Sequence, residues 1–140
     1  FRSDGYYQLA LISDDGSNLS ASDLSSAPQL LVGNDEFHST KMGCSTRAVY
    51  LRRGESLPIN VRYFQGPANE IALVMMWRKV DGSASSLEDS LCGVIGQFDF
   101  FSLDGQETNY MRDLKSRGWS VVPSSNFKLP ANETNQCVTP

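Results

Sequence analysis

The sequence predicts an all-β fold, an antiparallel β-sandwich with one short helix in a C-terminal insertion. Two observations predict this class: short apolar or alternating segments recur along the chain, and clusters of Gly, Pro, Asn, Asp and Ser separate them. With 140 residues, the chain is expected to form one domain over residues 1–140. Because it starts at Phe1 rather than Met, we expect it to be part of a longer protein.

The N-terminal half contains the first predicted strands. The apolar run Tyr6–Ile12 is typical of a strand. Residues 16–28 are polar and rich in Ser, which indicates a loop or a short irregular strand. Gln29–Val32 and Arg47–Leu51 are predicted as two further short strands, each followed by turn-forming residues.

The middle of the chain resembles a β-hairpin. Leu57–Tyr63 alternates apolar and polar residues, and Pro58 belongs at the start or edge of that strand because it cannot donate a hydrogen bond. Ile71–Trp77 is apolar on both faces, so we predict that it is a central strand and the most buried one. Residues 65–70 contain Gly and Pro and form the predicted loop between the two strands.

The C-terminal part combines an irregular insertion, over residues 81–106, with the predicted helix. The helix is expected over Thr108–Arg117, capped by Thr108 or Asn109 and stopped by Gly118. A last strand is predicted over Trp119–Val122. Three Phe residues in the insertion either fill a core or form an exposed ridge; they are Phe98, Phe100 and Phe101.

Composition and motifs argue against several classes of function. The net charge is −4 and the basic residues are scattered, so we expect no nucleic-acid partner. Since no apolar run reaches membrane-spanning length, we expect no membrane insertion. The chain has one His and no nucleophile elbow, phosphate loop or zinc-protease motif, so we predict that it is not an enzyme.

The three cysteines are Cys44, Cys92 and Cys137. Their spacing fits no zinc site. One alternative is three unpaired thiols. We favour one disulfide and one remaining thiol, which implies an exported protein at the cell surface or secreted from it. Three pairings are open from the sequence, and we predict Cys92–Cys137, which would tie the insertion to the polar tail.

A pair of adjacent carboxylates is the first candidate site. Asp14 and Asp15 lie in the segment Ser-Asp-Asp-Gly-Ser, directly after the first predicted strand. Two hard oxygen ligands at one loop tip suit a divalent cation or a sugar, although the same residues also form ordinary turns. The loop Asn34–His38 is open to the same two interpretations, a metal or sugar subsite or a polar hairpin loop.

Several segments in order carry a family resemblance: Ser-Asp-Asp-Gly-Ser, Gly-Asn-Asp-Glu-Phe-His, Leu-Arg-Arg-Gly-Glu, Pro-Ile-Asn-Val-Arg-Tyr-Phe-Gln-Gly, the apolar strand ending in Trp, and Gly-Trp-Ser-Val-Val-Pro. In this order they resemble the protective-antigen carbohydrate-binding domain, a lectin-like β-sandwich of flocculins, adhesins, glycosidases and fibro-slime proteins. The resemblance covers roughly Asp4–Leu129 without residues 81–106, and it is strongest to the bacterial fibro-slime and adhesin branch.

The resemblance implies a binding site. In sugar-binding members, paired Asp residues chelate calcium across a cis peptide, and the calcium holds two vicinal sugar hydroxyls; the matching residues here are Asp14 and Asp15. An Asn on the hairpin loop supplies a third ligand, and Gln65 is nearest to that position. Backbone carbonyls would come from around Pro67 and Asn69. The resemblance therefore implies calcium as a cofactor and Asp14, Asp15, Gln65 and Asn69 as ligand-binding residues.

Two tryptophans complete the candidates. Trp77 lies in an apolar run and is predicted to pack in the core, whereas Trp119 is predicted to contribute to ligand binding by stacking on a sugar ring. We predict an extracellular glycan-binding recognition module, the tip or terminal domain of a bacterial surface adhesin or fibre. Its partners would be cell-surface glycans and, through the parent fibre, further copies of the chain. The alternative is a structural or assembly domain that mediates protein–protein contacts and binds no sugar.

Overall fold

A computed structural model describes residues 3–22, 27–66, 71–96 and 98–129. Within these ranges the chain forms eight strands and one α-helix. No helix in this part of the chain is long and apolar enough to cross a membrane. In chain order the elements are β1 Gly5–Asp14, β2 Ser17–Ala21, β3 Gln29–Asn34, β4 Lys41–Cys44, β5 Val49–Leu51, β6 Ile59–Tyr63, β7 Ala72–Val80, α1 Asn109–Ser116 and β8 Ser120–Val121.

The strands form two antiparallel sheets, which confirms the predicted β-sandwich. The larger sheet has the order β4-β1-β7-β8, and β5 also pairs with β1. The smaller sheet has the order β3-β2-β6. The longest pairing joins β1 to β7, from Tyr6 opposite Val80 to Asp14 opposite Ala72. The chain end of β1 therefore lies beside the start of β7, and this shared end carries the predicted site.

Two apolar clusters lie on opposite faces of the larger sheet. Leu9 and Leu11 of β1 point between the sheets and pack with Leu19 and Val32 of the smaller sheet. The alternate residues of β1 point to the outer face, where the insertion and α1 cover them. This outer cluster consists of Ala10, Ile12, Met42, Met76, Leu91, Phe100, Leu114 and Trp119.

The most buried strand is β1, not the predicted segment Ile71–Trp77. β7 does lie between β1 and β8, so its central place is confirmed. However, Ile71 precedes the strand and is 73% exposed, whereas every residue of Tyr7–Asp14 is buried. The reason is coverage: β1 is paired along both edges and packed on both faces, whereas β8 pairs with only two residues of β7.

The helix prediction is confirmed in its bounds and its cap. The side chain of Thr108 accepts a hydrogen bond from the Met111 amide at 3.2 Å, which satisfies one of the unpaired N–H groups of the first turn. Leu114 buries its side chain in the outer cluster. Gly118 follows the helix with φ +91°, a left-handed conformation that glycine adopts without steric cost.

The insertion runs along β4 and sets the disulfide. The Gly93 amide donates to the Met42 carbonyl at 2.7 Å, and the Gly96 amide donates to the Thr40 carbonyl at 2.8 Å. This backbone pairing brings Cys92 opposite Cys44, and the two form a disulfide with their Cα atoms 5.5 Å apart. The predicted pairing Cys92–Cys137 is therefore wrong, and Cys137 lies outside the described residues. The pairing was predicted wrongly because the sequence did not indicate β4, which carries Cys44, as a strand.

A buried carboxylate joins the insertion to the C-terminal segment. Asp89 accepts two hydrogen bonds from Arg117, at 2.8 and 2.9 Å, one from the Trp119 indole at 3.0 Å and one from the Leu91 amide at 2.9 Å. Burial raises the pKa of Asp89, but these donors outweigh burial and hold the pKa below its ordinary value. The insertion is thus fixed by charge-assisted hydrogen bonds as well as by apolar packing.

The same network removes Trp119 from the predicted site. Trp119 is 1% exposed, and the guanidinium of Arg78 lies 4.9 Å from the centre of its ring. Arg78 also donates to the side chain of Gln8 at 2.8 Å and to two insertion carbonyls. Trp119 is a core residue and cannot stack on a sugar. Of the three insertion phenylalanines, Phe100 is buried, Phe101 packs against the outer cluster and Phe98 is half-exposed.

Candidate functional site

The candidate site lies where the shared end of β1 and β7 meets two loops. Strand pairing places Ser17, at the start of β2, opposite both Asn34 of β3 and Tyr63 of β6. The turn from β1 to β2, the loop after β3 and the segment after β6 therefore meet at one end of the sandwich. Asp14 and Asp15 lie in the first of these segments.

The carboxylate of Asp15 connects the other two segments. One of its oxygens accepts the His38 amide at 3.1 Å, and the other accepts the Gly66 amide at 2.8 Å. Asp15 itself is buried. Hydrogen bonds from neutral donors to a charged acceptor are stronger than neutral pairs, so this one side chain fixes the relative position of both loops.

Asp14 lies beside a tyrosine and the predicted glutamine. The Tyr63 hydroxyl donates to the Asp14 carbonyl oxygen at 2.6 Å and also lies within hydrogen-bond distance of the Gln65 side-chain oxygen. Burial raises the pKa of Tyr63, and the negative charges of Asp14 and then Asp15 raise it further. Tyr63 therefore remains a neutral donor near neutral pH. The peptide bond between Asp14 and Asp15 is cis, as the resemblance implies.

A layer of small polar side chains supports the acidic turn from below. The Ser13 hydroxyl donates to the Asp15 carbonyl at 2.8 Å and lies 2.6 Å from the Ser17 hydroxyl. The Asn34 amide donates to Ser13 at 3.2 Å and to the Lys41 carbonyl at 3.0 Å. Ser13 and Ser17 carry no signal in the sequence, because their contacts form only when β1, β2 and β3 are assembled.

Two glycines permit the close approach of these segments. A Cβ atom at Gly16 would lie 2.1 Å from a ring carbon of Phe64 and 2.9 Å from the Glu36 carbonyl oxygen. A Cβ atom at Gly66 would lie 2.7 Å from the Phe37 ring and 2.9 Å from a carboxylate oxygen of Asp15. Real side chains do not tolerate such distances, so the site requires glycine at both positions.

An aromatic pair flanks the carboxylates. The rings of Phe37 and Phe64 have centroids 5.2 Å apart and meet edge to face at 82°. Phe64 is partly buried against the acidic turn, whereas Phe37 is 74% exposed. The loop Asn34–His38 was predicted as a possible subsite, but Phe37 within it was not singled out. The only signal was a large aromatic residue in a polar loop.

The predicted site residues thus have different outcomes. Asp14, Asp15 and Gln65 come together at one end, and the loop Asn34–His38 joins them through its backbone. Asn69 lies outside the described residues. Trp119 lies in the core.

The donor set can be compared with the needs of calcium. Ca²⁺ takes about six to eight oxygen ligands. In the ranges that the structure describes, no three side chains of His, Cys, Asp or Glu converge on one point. Asp14 and Asp15 provide carboxylates, and each oxygen of Asp15 retains a second lone pair beside the N–H bond it accepts. These residues suit part of a calcium shell.

A groove lies at the opposite end of β1 and β7. This groove of about 590 Å³ includes Tyr7, Trp77, Lys79 and Ser120 in its lining. Its polar groups bond within the protein: the Trp77 indole donates to Ser120 at 3.1 Å, and Lys79 donates to Ser3 at 2.9 Å. We place the candidate site at the acidic end, because carboxylate and amide oxygens from separate segments meet there.

Comparison with known proteins does not assign the chain to a family. No protein-family model, curated protein or solved structure matches it. Fold and site together define an antiparallel β-sandwich with an acidic, aromatic-flanked loop end. The resemblance to the protective-antigen domain remains a hypothesis based on the sequence segments.

Proposed function

We propose that this chain is an extracellular glycan-binding module whose ligand occupies the Asp14–Asp15 end of the sandwich. One observation carries the proposal: the Asp15 carboxylate bonds the amides of both His38 and Gly66 and so builds one surface from three separate segments. Loops held by a rigid sheet are where binding residues concentrate in such folds. The resemblance to a carbohydrate-binding family supports the same end of the molecule.

The chemistry of this end suits sugar hydroxyls. A hydroxyl donates a hydrogen bond, and the carboxylates of Asp14 and Asp15 are strong acceptors. The amide of Gln65 adds both an acceptor and donors, and we include Asn69, four positions later in the sequence, as a further polar ligand residue. If calcium is part of the site, Asp14 and Asp15 are its charged ligands. A bound ion would add coordination of vicinal hydroxyls.

The setting of the module is part of the proposal. A disulfide between Cys44 and Cys92 suits a secreted or cell-surface protein, because such bonds persist in oxidising compartments. We propose the tip or terminal domain of a bacterial surface adhesin or fibre, which would bind cell-surface glycans. Self-association would then occur through the rest of that fibre.

A glycan array tests the function. The parent protein is compared with Asp14→Asn and with the double variant Asp14→Asn/Asp15→Asn, in calcium chloride and in EDTA. The matched control is Glu55→Gln/Asp113→Asn, which removes two exposed carboxylates elsewhere. We expect binding by the parent and the control and loss in both site variants. Binding by the double variant at parental strength would place the site elsewhere, and a parent that binds no glycan would refute the function.

One observation favours the alternative, an assembly domain. Three large apolar side chains of the insertion are exposed to solvent: Ile95, Phe98 and Leu103, the last 90% exposed. Contiguous exposed apolar patches are typical of protein–protein contacts. Sedimentation velocity over a range of concentrations tests this function. Self-association that Leu103→Ser abolishes, together with an empty glycan array, would favour assembly over glycan binding.

A further inference from the structure

Phe37 is an exposed aromatic side chain beside the acidic end. It is 74% exposed, although removing a ring of this size from water lowers the free energy. It directly precedes His38, whose amide bonds the Asp15 carboxylate at 3.1 Å. An exposed aromatic ring at this point can serve as a binding surface when the loop that carries it is rigid.

The backbone of this loop is fixed in a costly conformation. Glu36 has φ +100°, a left-handed conformation that residues with a side chain rarely adopt. The His38 ring nitrogens lie 2.7 Å from the Ser39 carbonyl and 2.9 Å from the Asn34 carbonyl. A ring N–H donated to one of these carbonyls and the amide bond to Asp15 hold the loop, so Phe37 has a defined position.

The ring of Phe37 is also supported from behind. Phe64 meets it edge to face, and Phe64 in turn lies against Gly16, where no side chain could fit. The Phe37 ring therefore contacts Phe64 and leaves most of its surface to solvent. An aromatic ring fixed in this way loses little conformational freedom when a ligand packs on it.

One point of the structure joins the ring to the carboxylate. The position of a Cβ atom on Gly66 lies 2.7 Å from the Phe37 ring and 2.9 Å from a carboxylate oxygen of Asp15. The apolar surface and the acidic acceptor are thus a few ångströms apart.

We infer that Phe37 is the stacking subsite of this end and that its ligand is a pyranose with one continuous face of C–H groups. The inference deepens the proposed glycan function and rests on it. The C–H face packs on the Phe37 ring, while hydroxyls on the ring edge donate to Asp15 and its neighbour Asp14. Sites of this kind combine an apolar wall with a few polar groups that fix orientation. Phe37 therefore determines which sugars bind, because a pyranose whose face is interrupted by an axial hydroxyl stacks poorly.

The test compares Phe37→Ala, Phe37→Tyr and Phe98→Ala with the parent. The probes are neoglycoproteins that carry terminal β-galactose, β-glucose or α-mannose, and calorimetry then measures the methyl glycoside of the strongest binder. We expect Phe37→Ala to lower affinity about 10-fold and Phe37→Tyr to change it by less than about twofold. Phe98→Ala, which removes another exposed Phe, is the matched control and should bind as the parent does.

A second measurement separates stacking from a general loss. Saturation-transfer NMR on the bound glycoside should show strong transfer to the ring C–H protons in the parent and weak transfer in Phe37→Ala. Equal affinity of Phe37→Ala and the parent would overturn the inference and leave the glycan function standing. Equal losses in Phe37→Ala and Phe98→Ala would also overturn it. A parent that binds none of the probes would refute the glycan function and this inference together.

Discussion

Replacing Asp89 with Asn should be the most destabilising polar substitution in the described part of the chain. The carboxylate is buried and accepts four N–H bonds. It is also the counter-charge of Arg78, whose guanidinium nitrogen lies 3.6 Å from a carboxylate oxygen of Asp89 and whose side chain is almost fully buried. An Asn side chain has one acceptor oxygen and turns an amide N–H toward the remaining donors. Breaking a buried pair leaves an uncompensated charge and costs about 3–5 kcal/mol.

The measurable consequence is a large fall in stability. Because folded domains are stable by only about 5–15 kcal/mol, this loss is a substantial fraction of the total. For a chain of this size it corresponds to a melting temperature lower by roughly 10–15 °C. Urea unfolding followed by tryptophan fluorescence suits the measurement, since Trp119 donates directly to Asp89.

The chain offers a matched control for this substitution. Lys115 and Glu107 also form an ion pair, with 3.3 Å between nitrogen and oxygen, but both side chains are largely exposed. Exposed pairs contribute at most about 1 kcal/mol, so Glu107→Gln should change little. The reasoning is refuted if Asp89→Asn unfolds within about 1 kcal/mol of the parent, or if the two variants lose equal stability.

Three further predictions concern Asp89, the disulfide and Tyr63. The pKa of Asp89 is lower in the folded than in the unfolded chain, so its contribution to stability is present above about pH 4 and is lost as the pH falls through the folded value. The parent should then lose more stability than Asp89→Asn between pH 5 and pH 2, and parallel curves from urea titrations would contradict this. Replacing both Cys44 and Cys92 with Ser opens a loop with a sequence separation of 48 and should cost about 4 kcal/mol in urea unfolding; peptide mapping of the parent that finds Cys137 bonded to either residue would contradict the pairing. Tyr63→Phe removes the donor to the Asp14 carbonyl and should cost about 1 kcal/mol, with weaker glycan binding by calorimetry; unchanged stability and affinity would exclude this role.

Local signals sufficed where neighbours in sequence are neighbours in space. The helix begins at a Thr that caps it and ends before a left-handed glycine, and both residues were recognisable. The strand β1 was also recognisable in the sequence, from its apolar run. Its burial on both faces could not be predicted, because the outer face is covered by residues 91–119 rather than by a neighbouring strand.

Features that depend on distant pairing were missed. The four residues of β4, Lys41–Cys44, show no alternation, and they become a strand only between β1 and the insertion. The disulfide follows from that pairing, so the error in β4 led to the error in connectivity. In the same way, Trp119 was wrongly assigned to the site. The hydrogen-bond partner of its indole, Asp89, lies 30 positions earlier in the chain, so nothing in the sequence indicated that Trp119 is buried.

Part of the site could be predicted from the sequence, and the rest could not because it depends on the assembled loops. Asp14 and Asp15 stand at the end of a strand, and the segment after β6 that carries Gln65 lies beside them because β2 pairs with β6. The predicted β-hairpin of Leu57–Tyr63 with Ile71–Trp77 is wrong, because β6 and β7 belong to different sheets and do not pair. The role of the Asp15 carboxylate as a bond between two loops depends on backbone amides, which carry no sequence signature. The exposure of Phe37 is likewise a property of the assembled loops.

The measurement that tests the glycan function most directly is the affinity of the parent and of Asp14→Asn for the strongest sugar on the array, determined by calorimetry. Asp14→Asn keeps the Asp15 carboxylate, which bonds the amides of His38 and Gly66 in the two loops. We expect the parent and Glu55→Gln to bind alike and Asp14→Asn to bind at least about 10-fold more weakly, as loss of one charged hydrogen bond implies. Parental affinity in Asp14→Asn, with an unchanged melting temperature, would contradict a glycan site at this end of the sandwich.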